Sequence, residues 1–196
     1  MRKSLLYLLM LSLCAFLVGV AMAQDEQEEP MKEITLPDPP FIGDNGEGAP
    51  VPCNTVPGNL VANCGFETGS FAMWTQSGDL SFTDVIGGAR FTGNFGGRFG
   101  PVDDLGFIAQ QLTTVPGQSY TLTFPLRNNG GPNRFQVSWG GQVIYDSSVG
   151  DFQYHRPQSG FEGLVARGAS TELKIGFFNL PDYIFIDDIV VVPSAP

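Results

Sequence analysis

The sequence predicts an all-β protein, an antiparallel β-sandwich of two sheets, and three observations support this. Polar and apolar residues alternate in "SYTLTFPLR", "RFQVSWG" and "TELKIGFF", as in strands with one buried face. From residue 53 onward, Gly and Pro break this pattern about every eight to twelve residues, the usual spacing of turns in sandwiches. Helical spacing is not found at length beyond the first 23 residues.

Each alternating segment has an apolar face that is expected to point into the core. These inward residues are Tyr120, Leu122, Phe124 and Leu126, then Phe135, Val137 and Trp139, then Leu173, Ile175 and Phe177. The last strand, "YIFIDDIVVV", is apolar on both faces except at Asp187 and Asp188, which places it inside a sheet. Because sandwiches commonly bring their two ends together, its expected neighbour is the first strand, "NLVAN" at 59–63.

Residues 1–23 have the pattern of a cleaved secretory signal peptide. Arg2 and Lys3 precede an apolar stretch at 5–20, and "AMA" at 21–23 supplies small residues for cleavage. The apolar stretch falls short of the ~20 residues that a membrane-spanning helix needs. We therefore expect a secreted or periplasmic protein with no membrane insertion after cleavage.

Residues 24–52 are acidic and rich in Pro and Gly. Such a segment buries too little apolar surface to offset its ordering entropy, so we expect a disordered spacer before a sandwich domain at 53–196. The chain carries a net charge of −10. This charge argues against nucleic acid as a partner, because nucleic-acid binding needs clustered Lys and Arg.

The mature chain contains two cysteines, Cys53 and Cys64. An even number of cysteines in an exported protein favours a disulfide. Two free buried thiols are the alternative, and metal binding is disfavoured because the chain has a single histidine and no further cysteine.

Three stretches resemble exported bacterial proteins with a galactose-binding-like jelly roll, related to carbohydrate-binding modules of families 4, 9 and 22. These stretches are "NLVANCGFETGSFAMWTQSG", "GRFGPVDDLGFIAQQLTTVPGQSYTLTFPLRNNGGPNRFQVSWGGQVIYD" and "FIDDIVVVP", and the most specific elements are N-x-G-F-E-x-G and the closing Asp-Asp pair. Many such proteins end in a PEP-CTERM sorting tail, whereas this sequence ends in "VPSAP". It also has Pro125 where relatives have an aromatic residue, and proline implies a sheet edge or a bulge.

The resemblance implies a structural calcium near the first and last strands, with Glu67 and Asp187 as ligands in preference to Asp188. Carbonyl groups of the Gly-rich segment 87–97 are possible further ligands. Three converging carboxylates would repel one another without a cation, and calcium binds carboxylate and carbonyl oxygens. In the alternative, Glu67 bonds to backbone amides and Asp188 faces water.

A polysaccharide or glycan ligand needs an aromatic platform and hydrogen-bonding side chains around a shallow groove. Outward strand positions and nearby loops offer Arg127, Asn129, Asn133, Gln136, Tyr154 and His155. A plain solvated sheet face is the alternative for each of them. Trp139 shares a face with Phe135 and Val137, so we expect it in the core.

Catalysis is not expected, because His155 is the sole histidine and no G-x-S-x-G motif is present. Asp103 and Asp104 are adjacent and point apart, unlike a glycosidase pair. The sequence thus predicts a calcium-stabilised module that binds carbohydrate without cleaving it. The alternative is a structural or adhesive protein that binds cell-envelope or matrix proteins.

Overall fold

The computed structural model describes residues 33–35, 50–149 and 159–194, all within one compact unit, Met31–Pro196. The strands of this part of the chain are β1 (Glu33–Thr35), β2 (Thr75–Gly78), β3 (Asp84–Ile86), β4 (Gly96–Phe99), β5 (Gly106–Thr113), β6 (Ser119–Phe124), β7 (Leu126–Asn128), β8 (Asn133–Trp139), β9 (Gln142–Ser147), β10 (Ser159–Val165), β11 (Ser170–Asn179), β12 (Ile184–Ile186) and β13 (Val190–Pro193). Two short 3₁₀ turns occupy Cys53–Thr55 and Gly87–Ala89.

The strands form two layers, as the alternation predicts. One layer is a five-stranded sheet in the order β2-β5-β11-β8-β9, and the other consists of two four-stranded sheets, β1-β10-β6-β13 and β3-β4-β12-β7. Every pairing is antiparallel. We call the first the five-stranded sheet and the last the β12 sheet, and the predicted all-β antiparallel sandwich is confirmed.

Aromatic rings from the two layers meet in the core. Phe99 of β4 stacks on Phe177 of β11 with ring centroids 3.8 Å apart, and Phe124 of β6 lies 5.6 Å from Phe135 of β8. All the inward residues predicted from the alternation are buried. Trp139 is buried too and donates from Nε1 to the carbonyl of Val165, so its core role is confirmed.

Two of the predicted strands are broken where the sequence departs from regular alternation. "SYTLTFPLR" divides into β6 and β7 at Pro125, which has no N–H for a ladder. The final strand divides into β12 and β13 at residues 187–189, with Asp188 at a φ of 40°. In both cases the chain passes from one small sheet of the split layer to the other.

The predicted first strand at 59–63 is not a regular strand. The segment does lie beside the last strand, since Leu60 donates to the carbonyl of Val191 and Ile189 donates to that of Cys64. Asn59 supplies further bonds from its side chain, accepting from the amides of Val61 and Val191 at Oδ1. Side-chain bonds of this kind replace the ladder, so the neighbour was predicted correctly and the strand was not.

The structure places three residues of the predicted disordered spacer in a sheet. Glu33–Thr35 form β1 and pair with Ser159–Phe161 of β10. The predicted signal peptide, the rest of the spacer before residue 50, and both Tyr154 and His155 lie outside the described residues. Within the described part of the chain, no helix has the length and apolarity required to cross a bilayer.

Candidate functional site

The three predicted acidic residues converge at the break between β12 and β13. A Cβ added to Gly65 would lie 3.3 Å from Oδ1 of Asp188 and 3.4 Å from Oδ1 of Asp187, so both carboxylates face this glycine. Glu67 follows two residues later, and its charge contributes to the raised pKa of Asp188. We call Glu67, Asp187 and Asp188 the carboxylate cluster.

Asp187 and Asp188 are almost completely buried, with 0% and 3% of their surface exposed. Asp187 accepts at Oδ2 from the amides of Phe91 (2.6 Å) and Thr92 (3.2 Å). Asp188 accepts at Oδ1 from the amide of Cys53 (2.9 Å) and at Oδ2 from the hydroxyl of Thr92 (2.7 Å). Asp188 therefore links the last part of the domain to its first part at Cys53, and both aspartates link it to the loop at Thr92.

Burial raises the pKa of Asp187 to about 8, and the neighbouring charge of Asp188 adds to the effect. Burial also raises the pKa of Asp188. These shifts arise because desolvation and like charge both disfavour the ionised carboxylate. Neither residue is among the ion pairs of the described residues, which are Arg98–Asp84 and Arg134–Asp146.

Glu67 is turned toward backbone amides, as the alternative interpretation predicted. Its carboxylate accepts from the amides of Asn94 (2.9 Å) and Phe95 (3.0 Å). A Cβ on Gly93 would approach Oε1 of Glu67 to 2.3 Å, so only glycine lets the loop come this close. The same alternative placed Asp188 in water, and there it is wrong, because Asp188 is buried.

A cavity of about 560 Å³ borders the cluster, and its lining includes Glu67, Asp188, Thr92 and the disulfide. Cys53 and Cys64 form this disulfide, as predicted. Among the described residues, no group of three or more His, Cys, Asp or Glu side chains is arranged to hold a metal. A calcium ion here would therefore rely on the two aspartates, with backbone carbonyl groups and water completing its shell.

The four predicted ligand-binding residues that the structure describes are divided between the two layers, with Asn133 and Gln136 on β8 and Arg127 and Asn129 at β7. Arg127 projects from the outer face of the β12 sheet, where its guanidinium lies 3.6 Å from the ring centroid of Phe185. Asn129 follows β7 and donates to Asp182. Gln136 projects from the outer face of the five-stranded sheet and donates to Asp146 (2.9 Å).

Asn133 borders a groove of about 520 Å³ at one end of the five-stranded sheet. The groove is lined by Asp103, Asp104, Leu105, Gly131, Pro132, Asn133, Arg134, Ser148, Val149 and Phe178. Phe178 and Arg134 are paired across β11 and β8, and both point away from the core because their neighbours Phe177 and Phe135 are buried. The groove therefore has an aromatic ring and charged groups on the outer face of the sheet.

Arg134 and Asp146 form a two-point ion pair, with Nε and Nη2 donating to Oδ1 and Oδ2 at 2.6 and 2.5 Å. This bonding lowers the pKa of Asp146 to about 2, and the charge of Asp104 helps to raise the pKa of Arg134. Asp79 accepts from the amides of Val102 and Asp103 and so holds the chain at Asp103, which lines the groove. The hydroxyl of Ser81 and, after it, these backbone amides hold the pKa of Asp79 well below its usual range.

Phe107 of β5 lies on the same outer face, two residues along the chain from Leu105, which lines the groove. A Cβ on Gly176 would approach ring carbon Cε1 to 2.6 Å, and one on Gly78 would approach Cδ2 to 3.1 Å. The ring thus lies against Gly176 of β11 and Gly78 of β2, two positions that have no side chain. The ammonium group of Lys174 lies 4.1 Å from its centroid. We call Phe107, Lys174, Gln136 and the adjoining groove the binding face.

Phe107, Lys174 and Phe178 were not among the site residues predicted from the sequence. The available signal was the position of Phe107 in "GFIAQQLT", where it is out of phase with the buried Ile108 and Leu112. The glycine opposite it becomes apparent only when the register of β5 and β11 is known.

Sequence comparisons identify no relative, since no family model and no curated protein matches the chain. Comparison with solved structures does find similar folds. The structure of TmCBM61 in complex with β-1,4-galactotriose aligns at 21% identity and a TM-score of 0.56, over 69% of this chain and 99% of that chain. A family 16 carbohydrate-binding module aligns at 16% identity and 0.51, over 68% and 99% of the two chains.

This chain has the fold of carbohydrate-binding modules. A further similar structure is the CBM22-1–GH10 part of xylanase 10B from Clostridium thermocellum, complexed with xylohexaose. It aligns at 13% identity and a TM-score of 0.54, over 71% of this chain and 29% of that chain. The resemblance to jelly-roll carbohydrate-binding modules is thus confirmed at the level of the fold.

Proposed function

We propose that this protein is an exported carbohydrate-binding module that holds a glycan on the binding face and breaks no bond in it. The observation that carries the proposal is the Phe107 ring, which spans Gly78 and Gly176 beside an open groove. A pyranose needs a ring of this kind to stack on. Gln136 and Arg134 supply hydrogen-bonding groups around it, whereas the side-chain amide of Asn133 is bonded to the backbone of Gly131 and Val149.

The solved modules with similar folds support the class of ligand. TmCBM61 is bound to β-1,4-galactotriose, and the CBM22-1–GH10 chain, which is aligned over 29% of its length, is complexed with xylohexaose. Soluble β-1,4-galactan and xylan are therefore the first polysaccharides to test, followed by a glycan array.

The test is affinity electrophoresis of the mature protein in gels that contain each polysaccharide, with Phe107→Ala as the variant. We expect retardation of the natural protein and a loss of retardation in the variant. Absence of retention on every glycan, together with recovery of a cell-envelope or matrix protein in a pull-down, would support the structural or adhesive alternative.

We further propose that calcium stabilises the domain at the carboxylate cluster, with Asp187 and Asp188 as the principal ligands and Glu67 at the border of the same cavity. Asp187 and Asp188 are buried and adjacent, and no cationic side chain of the described residues lies within ion-pair distance of either, which supports this. A bound cation would offset the desolvation and like-charge repulsion that raise the pKa of both residues.

Thermal melting in calcium and in EDTA, at several pH values, tests the calcium proposal. Without the cation, Asp187 keeps its proton in the folded state up to about pH 8 but loses it near pH 4 when unfolded. The unfolded state thus binds fewer protons across this window, so stability falls as pH rises. We expect the melting temperature in EDTA to fall between pH 5 and pH 8, and calcium to remove most of that fall. Equal melting temperatures with and without EDTA at pH 8 would contradict the proposal.

Export is the third part of the proposal. The Cys53–Cys64 disulfide supports it, because disulfides persist in oxidising compartments. Mass spectrometry of the mature protein should find Gln24 as its first residue in the periplasm or the medium. Recovery of the uncleaved chain from the cytoplasm alone would contradict this part.

A further inference from the structure

The binding face contains a cation whose position bears on which sugars the protein can hold. The ammonium group of Lys174 lies 4.1 Å from the centroid of the Phe107 ring. Lys174 is in register with Ala109 on one side and Ser138 on the other, so its closest cross-strand neighbours carry no charge. No carboxylate of the described residues lies within ion-pair distance of it.

The cation of the adjoining groove, Arg134, is already paired. Arg134 is bound at two points by Asp146, and Gln136 donates to the same carboxylate. Lys174 is therefore the cation on the face that is available to pair with a ligand. A charge-assisted hydrogen bond from an ammonium group is stronger than a neutral one.

We propose that the binding face selects a sugar unit that carries a carboxylate, a uronic acid, with the pyranose on Phe107 and the carboxylate on Lys174. This inference rests on the proposed function. The hexuronic acids place a carboxylate directly on the pyranose ring. In the complex the pyranose takes the place of the Lys174 ammonium group over Phe107, and the ammonium group moves to the carboxylate at the edge of the sugar.

The charge of the whole chain restricts the proposal further. A net charge of −10 and the carboxylates of Asp103 and Asp104 at the groove both repel a chain that is charged at every unit. The ligand that fits is a neutral polysaccharide with isolated uronic acid substituents. The groove then holds the neutral backbone and Lys174 holds the substituent.

The experiment compares a polysaccharide with the same polysaccharide after its carboxyl groups have been reduced to alcohols. Glucuronoxylan and a glucuronate-bearing arabinogalactan supply two such pairs, and isothermal titration calorimetry measures each affinity. The variants are Lys174→Met, which keeps the length of the side chain, and Lys174→Arg, which keeps the charge. Arg167→Gln, at an exposed position outside the binding face, is the control for the loss of one positive charge.

We expect the natural protein to bind at least one acidic polymer about fivefold more tightly than its reduced form, as for one exposed ion pair of ~1 kcal/mol. Lys174→Met should bring this ratio close to one while binding of the reduced polymer persists, and Lys174→Arg and Arg167→Gln should preserve it. Equal affinity of the natural protein for both forms would overturn the inference and leave the proposed function standing. Tighter binding of the reduced polymer by Lys174→Met would show that the lysine only covers the ring, and this too would overturn it. If neither polymer nor any other glycan is bound, both proposals fail.

Discussion

The two outer faces of the sandwich each carry a cation over an aromatic ring, yet the two pairs have different surroundings. On the β12 sheet, Arg127 lies over Phe185, which is only 5% exposed. The same arginine donates to the carbonyl of Gly88. On the five-stranded sheet, Lys174 lies over Phe107 beside an open groove.

The residues in register with each ring explain this difference. Phe185 lies between Arg98 and Arg127 in the sheet, and the long side chain of Arg127 lies over its ring. Phe107 is in register with Ser77 and Gly176, and these small residues leave the ring partly exposed. An outward position in a strand therefore does not by itself make an aromatic side chain available to a ligand. The size of its cross-strand neighbours decides that.

The largest expected effect is a loss of stability, caused by a change on the outer face of the β12 sheet. Phe185→Ala removes a buried ring and should lower the free energy of unfolding by about 3 kcal/mol, as for other buried aromatic residues. Binding to the glycan found by electrophoresis should be unchanged at a temperature where the variant is folded. Chemical denaturation and calorimetry measure the two quantities. A loss of affinity in the folded variant would mean that the β12 sheet takes part in binding.

Phe107→Ala should weaken glycan binding strongly and change the stability of the fold only slightly. Loss of a central aromatic contact typically costs about 2 kcal/mol of binding, a factor of roughly thirty in affinity. Stability should change less than in Phe185→Ala, because the ring is only partly buried. Calorimetry on the same glycan, with the melting temperature as the control, separates the two effects. An unchanged affinity would show that the Phe107 ring does not contact the glycan.

Gly176→Ala tests whether the space around Phe107 matters. The added Cβ would approach the ring to 2.6 Å, so the ring has to move away from the sheet. We expect an affinity loss of about tenfold, corresponding to ~1.4 kcal/mol. Gly168→Ala is the matched control, because its nearest contact would be an ordinary 3.5 Å. Equal affinities for the two variants would mean that the position of the ring does not depend on the glycine.

Most of the fold could be predicted from local patterns. Alternation identified the inward faces of β6, β8 and β11, since each of these strands has one face in the core. It failed at 59–63, where Asn59 replaces ladder bonds with side-chain bonds to Cys53 and Ile189. The pattern of apolar residues contains no information about such bonds.

The carboxylate cluster and the binding face differ in how far the sequence could predict them. The cluster depends on residues at the two ends of the domain, and the proximity of those ends is a general tendency of sandwiches. The binding face depends on the exact register of β5 against β11, which places Gly176 opposite Phe107. A shift of one residue would put a different side chain there, and single-sequence reasoning does not determine register to that precision.

The smallest expected effect concerns Arg127, the outward arginine that the sequence analysis favoured as a ligand contact. Its guanidinium lies over Phe185 and bonds to the turn at Gly87–Ala89, on the opposite face from the groove. Arg127→Gln should therefore change the affinity for the glycan by less than about twofold, or ~0.4 kcal/mol. Arg134→Gln, at the groove, should cost several-fold, because Arg134 lies in its wall. Calorimetry on both variants compares two arginines of similar chemistry on opposite faces. A larger loss for Arg127→Gln than for Arg134→Gln would move the site to the β12 sheet, and the glycines around Phe107 would then serve packing alone.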